Sequence, residues 1–541
     1  MLFPSWQSNA IPIKMLHMEL LTVILFLFAN LGFSFPAEPQ PQGNRQWHMT
    51  SDAREIAGKS YDYIIVGGGT CGCPLAATLS EKFSVLLVER GGSPYGNPLV
   101  IDKRSYGFPL IQTDKYSSVA QSFVSEDGVS SARGRVLGGS SAINGGLYSR
   151  ASEEFISEAG WDKELVKEAY EWVESKVVFP PVILSPWQSV AKFSLLEAGI
   201  LPYNGFTLEH IKGTKVAGSV FDGSGNRHIS ADLLGAGNPK NFTVLLNATV
   251  KSIMFHHIGE RNKTRAHGIR FMQSNGSLDK TYEAYIKEHK NSISRGDVIL
   301  SAGALGSPQI LLLSGIGPKE HLRKLNIPLV LNLKEVGQEM QDNPAISILL
   351  DAIPKKRLPD PPYVAGIADD FKIIVEAGIV PISTNATTRV RISGKIAFPS
   401  SKGMLELNDT DPRLNPLVKF NYLASEADME ECVKMTQLLY RIAKSKSIAL
   451  FLGMSGLSNL TSIGDWRQFC RKNVRTFYHF HGGCSVGSVV NEQYKVHGIK
   501  GLRVLDGSTL SVSPGTNPMA TLLMLGRYQG IKILREREAS P

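Results

Sequence analysis

The sequence predicts an α/β protein with a dinucleotide-binding turn near its start, and two observations carry that prediction. First, Asp62-Tyr63-Ile64-Ile65-Val66 is a short apolar, β-branched run suited to a buried parallel strand, and Gly67, Gly69 and Gly72 follow it in GxGxxG spacing. Second, Leu75 to Leu79 reads as a helix, and Ser84 to Val88 as another strand that ends at Glu89. Strand, glycines, helix, strand and acidic residue stand in the order that a Rossmann-like unit needs.

Each part has a mechanical role. The first glycine permits the tight strand-to-helix turn, the second lets backbone approach a pyrophosphate, and the third lets helix and strand pack closely. Helix N-terminal amides then face the phosphates, while Glu89 accepts hydrogen bonds from a ribose diol. The spacing alone does not separate FAD from NAD.

The bulk numbers describe an ordinary globular chain: 541 residues, 43% hydrophobic, 20% charged. The net charge of +9 is spread along the sequence, with no dense basic run interleaved with aromatics, so no nucleic-acid partner is expected. At the N-terminus Lys14 and His17 precede the apolar run Leu20 to Phe28, and small residues follow near Ser34 and Ala37. That order predicts a secretory signal peptide over residues 1–37, too short in its apolar core for a permanent membrane anchor. A secreted, extracellular or vacuolar protein is therefore expected. Asn-x-Ser/Thr sequons at Asn241, Asn247, Asn262, Asn275, Asn385, Asn408 and Asn459 are then candidate glycan acceptors. Five cysteines are too few for a disulfide scaffold. After the leader a flexible Pro/Gln-rich stretch is expected, with order starting near Tyr61.

Two longer segments narrow the cofactor. Ala132-Arg133-Gly134-Arg135-Val136-Leu137-Gly138-Gly139-Ser140-Ser141-Ala142-Ile143-Asn144-Gly145-Gly146 and Gly303-Ala304-Leu305-Gly306-Ser307-Pro308-Gln309-Ile310-Leu311-Leu312-Leu313-Ser314-Gly315-Ile316-Gly317-Pro318 resemble the two signatures of the glucose–methanol–choline (GMC) flavoprotein family. Within it, the chain from Tyr61 onward is most similar to plant mandelonitrile lyases and HOTHEAD-like proteins. The resemblance implies FAD. Carried over, it puts Gly67, Gly69, Thr70 and Gly72 at the pyrophosphate and Glu89 and Arg90 near the adenosine. Val136, Ser140, Asn144, Gly145, Gly146 and Leu147 fall in the isoalloxazine region, and Val250 at the adenine. Tyr478, Asp506, Gly507, Ser508, Met519 and Ala520 complete the cofactor set. Cys432 and Cys470 match the family's disulfide pair.

Tyr478-His479-Phe480-His481 carries a His-x-His pair. Such a pair can bind a metal, sit satisfied in a core, or supply a general base. No carboxylate or further histidine lies at ligand spacing nearby, so no metal is expected. The resemblance favours His479 as the base and places His481 as a structural neighbour. The family's second catalytic position matches Asn517, where mandelonitrile lyases carry histidine. Asparagine cannot take up a proton at neutral pH, but it donates and accepts hydrogen bonds. Phe477 falls where the lyases have a substrate-binding tyrosine, and Ile374 where they have a substrate-contacting cysteine. Those two replacements predict a more apolar pocket.

The expected architecture is a GMC-type Rossmann-like FAD-binding domain (58–150, 235–330 and 475–541) interleaved with an α+β substrate domain on an antiparallel sheet (151–234 and 331–474). Residues 162–175 and 428–445 read as amphipathic helices. The first functional reading is an FAD-dependent alcohol oxidase or dehydrogenase, with His479 removing the hydroxyl proton as hydride passes to the flavin. The alternatives are an (R)-mandelonitrile lyase that cleaves a cyanohydrin with non-redox FAD, and a catalytically silent FAD-binding secreted protein. In either enzymatic reading the partner is a small alcohol or cyanohydrin, and a monomer is expected.

Overall fold

The computed structural model describes residues 47–539 except 182, 259–262, 289–295, 352–356, 384–387 and 454–462. The expected signal peptide and the sequons at Asn262, Asn385 and Asn459 lie outside the described residues. Among these no helix is long and apolar enough to cross a membrane.

The first sheet grows from the glycine turn. Strand β1 (Tyr63–Val66) runs into helix α1 (Gly72–Leu79), then strand β2 (Val85–Val88); all four residues of each strand are buried. Strands β3 (Phe242–Leu245) and β4 (Val298–Leu300) join them from distant parts of the chain. The order is His48–Thr50, β3, β2, β1, β4, Leu502–Val504, and every neighbouring pair is parallel. Burial on both faces explains why these strands read as unbroken apolar runs rather than alternating ones. The edge strand His48–Thr50 and the short helix Ala53–Ile56 correct the expectation that order starts near Tyr61. His48 to Thr50 pair in register with Thr243 to Leu245, which ties down a stretch too polar to have been read as a strand. Helix α2 (Gly303–Leu313) follows β4 directly.

The second sheet has seven strands. Its centre comprises β5 (Pro344–Asp351), β6 (Val364–Ala368), β7 (Ile373–Pro381) and β8 (Thr388–Ile396). The order is Arg475–Thr476, β5, β8, β7, β6, Gly213–Val216, Tyr203–Phe206, antiparallel except for the last pair. Alternation along a strand sends successive side chains to opposite faces. On one face Ile346, Ile348, Val375, Ala377, Val390 and Ile392 form a core with helix α3 (Glu426–Ala443) and helix Pro186–Glu197. On the other face Ser347, Ser393 and Glu376 form one row across three strands. The expected helices at 162–175 and 428–445 correspond to Lys163–Val177 and α3.

Cys432 on α3 and Cys470 on helix α4 (Trp466–Asn473) come together, but as buried free thiols, not as the expected disulfide. The adjacent Cys470, together with burial, pushes the Cys432 pKa up, and the Thr436 hydroxyl lies 3.4 Å from the Cys470 sulfur. The long C-terminal helix α5 (Pro518–Glu538) crosses α1 at two glycines. A Cβ at Gly526 would lie 2.3 Å from the Cys71 carbonyl oxygen, and one at Gly530 2.7 Å from Thr78 Cβ.

Candidate active site

A cavity of about 410 Å³ is walled by the C-terminal ends of the parallel strands on one side and by the polar face of the antiparallel sheet on the other. Its two ends are chemically distinct.

At the nucleotide end, Gly67, Gly69, Thr70, Glu89, Arg90 and Val250 line the wall. Gly67 has φ +106°, and a Cβ there would fall 2.3 Å from the Ser301 carbonyl oxygen, so only glycine makes this turn. A Cβ at Gly69 would meet nothing nearer than 3.9 Å, which leaves the backbone bare toward the cavity. Glu89 is buried, accepting from the Gly68 amide at 3.0 Å and the Gly91 amide at 2.8 Å; burial raises its pKa. These two bonds hold its carboxylate at the strand end where a ribose would sit.

In the middle, Ser140, Asn144, Gly145, Gly146 and Leu147 line the cavity together with Gly507 and Met519. Asn144 Oδ1 accepts from the Gly146 amide (3.0 Å) and from Arg227 Nη1 (2.9 Å), which fixes this glycine-rich loop. Asp506 accepts from the Gly303 amide (2.9 Å) and the Ser307 hydroxyl (2.5 Å), so it steers the start of α2 to the cavity edge. Tyr478 has φ +63° and stays 41% exposed although it lines the cavity, a flat aromatic surface left open toward the interior. Bare glycine backbone, a fixed ribose acceptor and an open aromatic face are what FAD requires, and the residues fit it.

Five expected site residues do not line the cavity. Gly72 packs helix against strand, since a Cβ there would stand 2.1 Å from the Gly67 carbonyl oxygen. Val136, Ser508 and Ala520 are fully buried behind the wall. Ile374 shares a sheet face with Glu376 but sits one row away, in an apolar cluster with Ala217, Ala365, Ile367 and Ala397. The β7 residues that line the cavity are Glu376, Val380 and Pro381.

At the reacting end stand His479, Phe477 and Asn517. Asn343 Nδ2 donates to the carbonyls of Ile396 (2.8 Å) and Ala397 (2.9 Å), so its Oδ1 is the atom turned to His479 Nδ1, 3.1 Å away. When Nδ1 carries the proton it donates to this oxygen and leaves Nε2 with a free lone pair. Lys395 Nζ lies 3.2 Å from the same Nδ1 and donates to the Thr516 carbonyl at 2.7 Å. Burial and the neighbouring Lys395 hold the His479 pKa well below the usual histidine value, so the ring is neutral at physiological pH. Burial brings Lys395 down to about 7, against the pull of Glu376 and Asp342. Asn517 does not cap α5; its amide donates to Glu376 Oε1 at 2.8 Å. Burial raises the Glu376 pKa. His481 is buried, and its Nδ1 lies 3.0 Å from the His479 carbonyl. Among the described residues no group of three His, Cys, Asp or Glu is placed to hold a metal ion.

The cavity floor is polar, where an apolar pocket was expected. Ser347, Ser393, Glu376 and Arg391 line it, the two serine hydroxyls 2.8 Å apart and Arg391 Nη2 donating to the Tyr106 hydroxyl at 2.9 Å. Asn343, Lys395, Glu376 and Arg391 belong to no motif. Their only sequence signal is the period of two along β7 and β8, which places Arg391, Ser393 and Lys395 on one face.

Profiles of the GMC oxidoreductase family match residues 61–190 and 207–345, and residues 399–526. The chain is 42% identical to (R)-mandelonitrile lyase 2 of Prunus dulcis over 89% of its own length and 88% of that protein's. It is also 42% identical to sinalpyl alcohol oxidase Nec3 of Nesocodon mauritianus, over 89% of this chain and 90% of that one. A variant of formate oxidase from Aspergillus oryzae has the same fold, with a TM-score of 0.74 at 19% identity over 89% of this chain and 99% of the other.

Proposed function

The chain belongs to the GMC oxidoreductase family with FAD as cofactor, and from that premise we propose that it is a hydroxynitrile lyase of the mandelonitrile type. His479 Nε2 takes the hydroxyl proton of the cyanohydrin, and the carbonyl forms as the carbon–cyanide bond breaks. The cyanide anion departs over a floor that carries a cation. The observation that carries this reading is Arg391: it lines the cavity, donates to the Tyr106 hydroxyl, and has no carboxylate within ion-pair distance among the described residues. A leaving anion in a partly dehydrated site needs such a charge, whereas hydride transfer from an alcohol releases none. The similarity to a mandelonitrile lyase supports the same reading.

Asn343 fixes the tautomer of the base, and Asn517 with Glu376 supplies a polar contact for the substrate beside it. Bound along the glycine-lined wall, FAD would supply a hydride acceptor for alcohol oxidation and would do no redox work in cyanohydrin cleavage. Oxidation is the second reading, favoured by Asn517. A single base suffices to start hydride transfer, and the similar alcohol oxidase shows that this chemistry occurs at equal sequence distance. Secretion, proposed from the N-terminal apolar run, goes with either reading.

Purified holoprotein mixed with mandelonitrile should release benzaldehyde with the flavin absorbance unchanged. Anaerobic bleaching of the flavin by aromatic alcohols, with no cyanohydrin cleavage, would overturn the lyase in favour of the oxidase. Neither reaction, with FAD bound, would remove both.

A further inference from the structure

One side chain at the nucleotide end carries a charge that no side chain answers among the described residues. Arg133 lies on the hairpin strand Ser130–Gly134, opposite Gln121. It is 8% exposed and lines the cavity, and its Nε and Nη2 are buried with no hydrogen-bond partner among the described residues. Its nearest charged neighbours are also cations, but each of those has partners. Arg90 donates to Gln121 Oε1 (2.5 Å) and the Gly134 carbonyl (3.1 Å) and has Glu89 beside it. Arg135 meets Asp114 at 3.2 Å and donates to the carbonyls of Ser118 and Lys115. Arg133 has neither a carboxylate nor a carbonyl. Burial, reinforced by Arg90 and Arg135, pushes its pKa well below that of an ordinary guanidinium. An isolated buried charge of this kind is strongly unfavourable unless an anion reaches it.

The place of the guanidinium says which anion. Its Nη1 lies 3.7 Å from where a Cβ of Gly306 would stand, beside the first turn of α2. The residue after it, Gly134, is held by its amide to the Ser140 hydroxyl at 3.1 Å. Gly139, next to Ser140, is pressed against Gly69 of the nucleotide turn, with a Cβ-to-Cα distance of 2.7 Å. Arg133 therefore lines the stretch of cavity that also holds the glycine turn and the start of α2. The doubly charged diphosphate is the only anionic part of FAD. We propose that Arg133 binds the diphosphate of FAD, as the cationic partner that complements the backbone amides of the glycine turn. A guanidinium presents parallel N–H groups to phosphate oxygens, and such charge-assisted bonds are among the stronger ones available.

The test uses the purified holoprotein. Release of FAD on dilution is followed by the rise in free flavin fluorescence for the native chain, Arg133→Gln and Arg133→Lys. Arg133→Gln should release FAD about 30-fold faster, the scale of one lost charge-assisted bond, and Arg133→Lys should recover much of the difference. Rebinding of added FAD is then competed with ADP or with adenosine. ADP should outcompete adenosine in the native chain and lose most of that advantage in Arg133→Gln. A native release rate in Arg133→Gln would overturn the proposal. So would an undiminished advantage of ADP over adenosine, which would show that faster release came from disturbed packing rather than a lost phosphate contact.

Discussion

The two ends of the cavity are built by opposite means. At the nucleotide end the wall is backbone: Gly67 and Gly69 present bare main chain, and Glu89 is pinned by the amides of Gly68 and Gly91. At the reacting end the wall is side chain. His479, Asn343, Lys395, Glu376 and Asn517 come from five separate segments; contacts of 3.1 and 3.2 Å join His479 to Asn343 and Lys395, and Asn517 donates to Glu376 at 2.8 Å. Backbone sites depend on a local run of residues with no side chain in the way. Side-chain sites depend on the register of a sheet assembled over long sequence distances. Under the proposed function the first kind would hold the cofactor and the second would choose the reaction.

The sharpest way to break this contrast is to damage each end separately. His479→Ala should lower the rate by about a thousandfold, within the range for loss of a positioned base, while bound FAD per protein stays at the native level. A variant that lost its flavin as well would show that the two ends are not independent. Gly72→Ala should do the reverse. Its Cβ would collide with the Gly67 carbonyl oxygen, costing about 1–3 kcal/mol as overpacking does. Melting temperature and FAD content should fall together, with the rate per flavin-loaded molecule unchanged.

A smaller effect separates positioning from chemistry within the reacting end. Asn343→Leu keeps the volume but removes the carbonyl that holds the proton on His479 Nδ1. We expect about a tenfold fall in kcat, the scale of one hydrogen bond, with KM little changed and the pH profile displaced. An unaltered pH profile would mean that Lys395, not Asn343, sets the tautomer. The smallest effect is on stability in acid. Burial lowers His481 to about 4 and His210 to about 3. Between the ordinary histidine value of 6.5 and those values the unfolded chain binds protons that the folded chain refuses. Stability therefore falls as pH falls through that window. His481→Gln should flatten the slope in thermal melts between pH 6.5 and 4; an unchanged slope would relocate the acid sensitivity.

The same contrast explains what the sequence disclosed. The turn from β1 to α1 was legible because all its requirements lie within thirty residues and each is a residue type with a mechanical reason. His479 and Asn517 were singled out through resemblance to a family, not from periodicity. Glu376 and Arg391 were missed because nothing local distinguishes them from other charges on a strand. Placing Ile374 at the substrate put the right face of β7 toward the cavity, but one row off, and one row separates a carboxylate from an apolar cluster. The polar floor was hidden for the same reason: two serines become neighbours only once β5 and β8 pair Ser347 with Ser393.

The alternation along β8 has a consequence for how such an enzyme diversifies. Arg391, Ser393 and Lys395 face the cavity side, while Val390 and Ile392, which alternate with them, belong to the opposite core. Arg391 and Ser393 are thus places where the floor can be altered without removing a core side chain, whereas Lys395, fully buried and bonded to the Thr516 carbonyl, is not. A change at Arg391 or Ser393 would reshape the floor and leave the glycine wall at the other end of the cavity untouched.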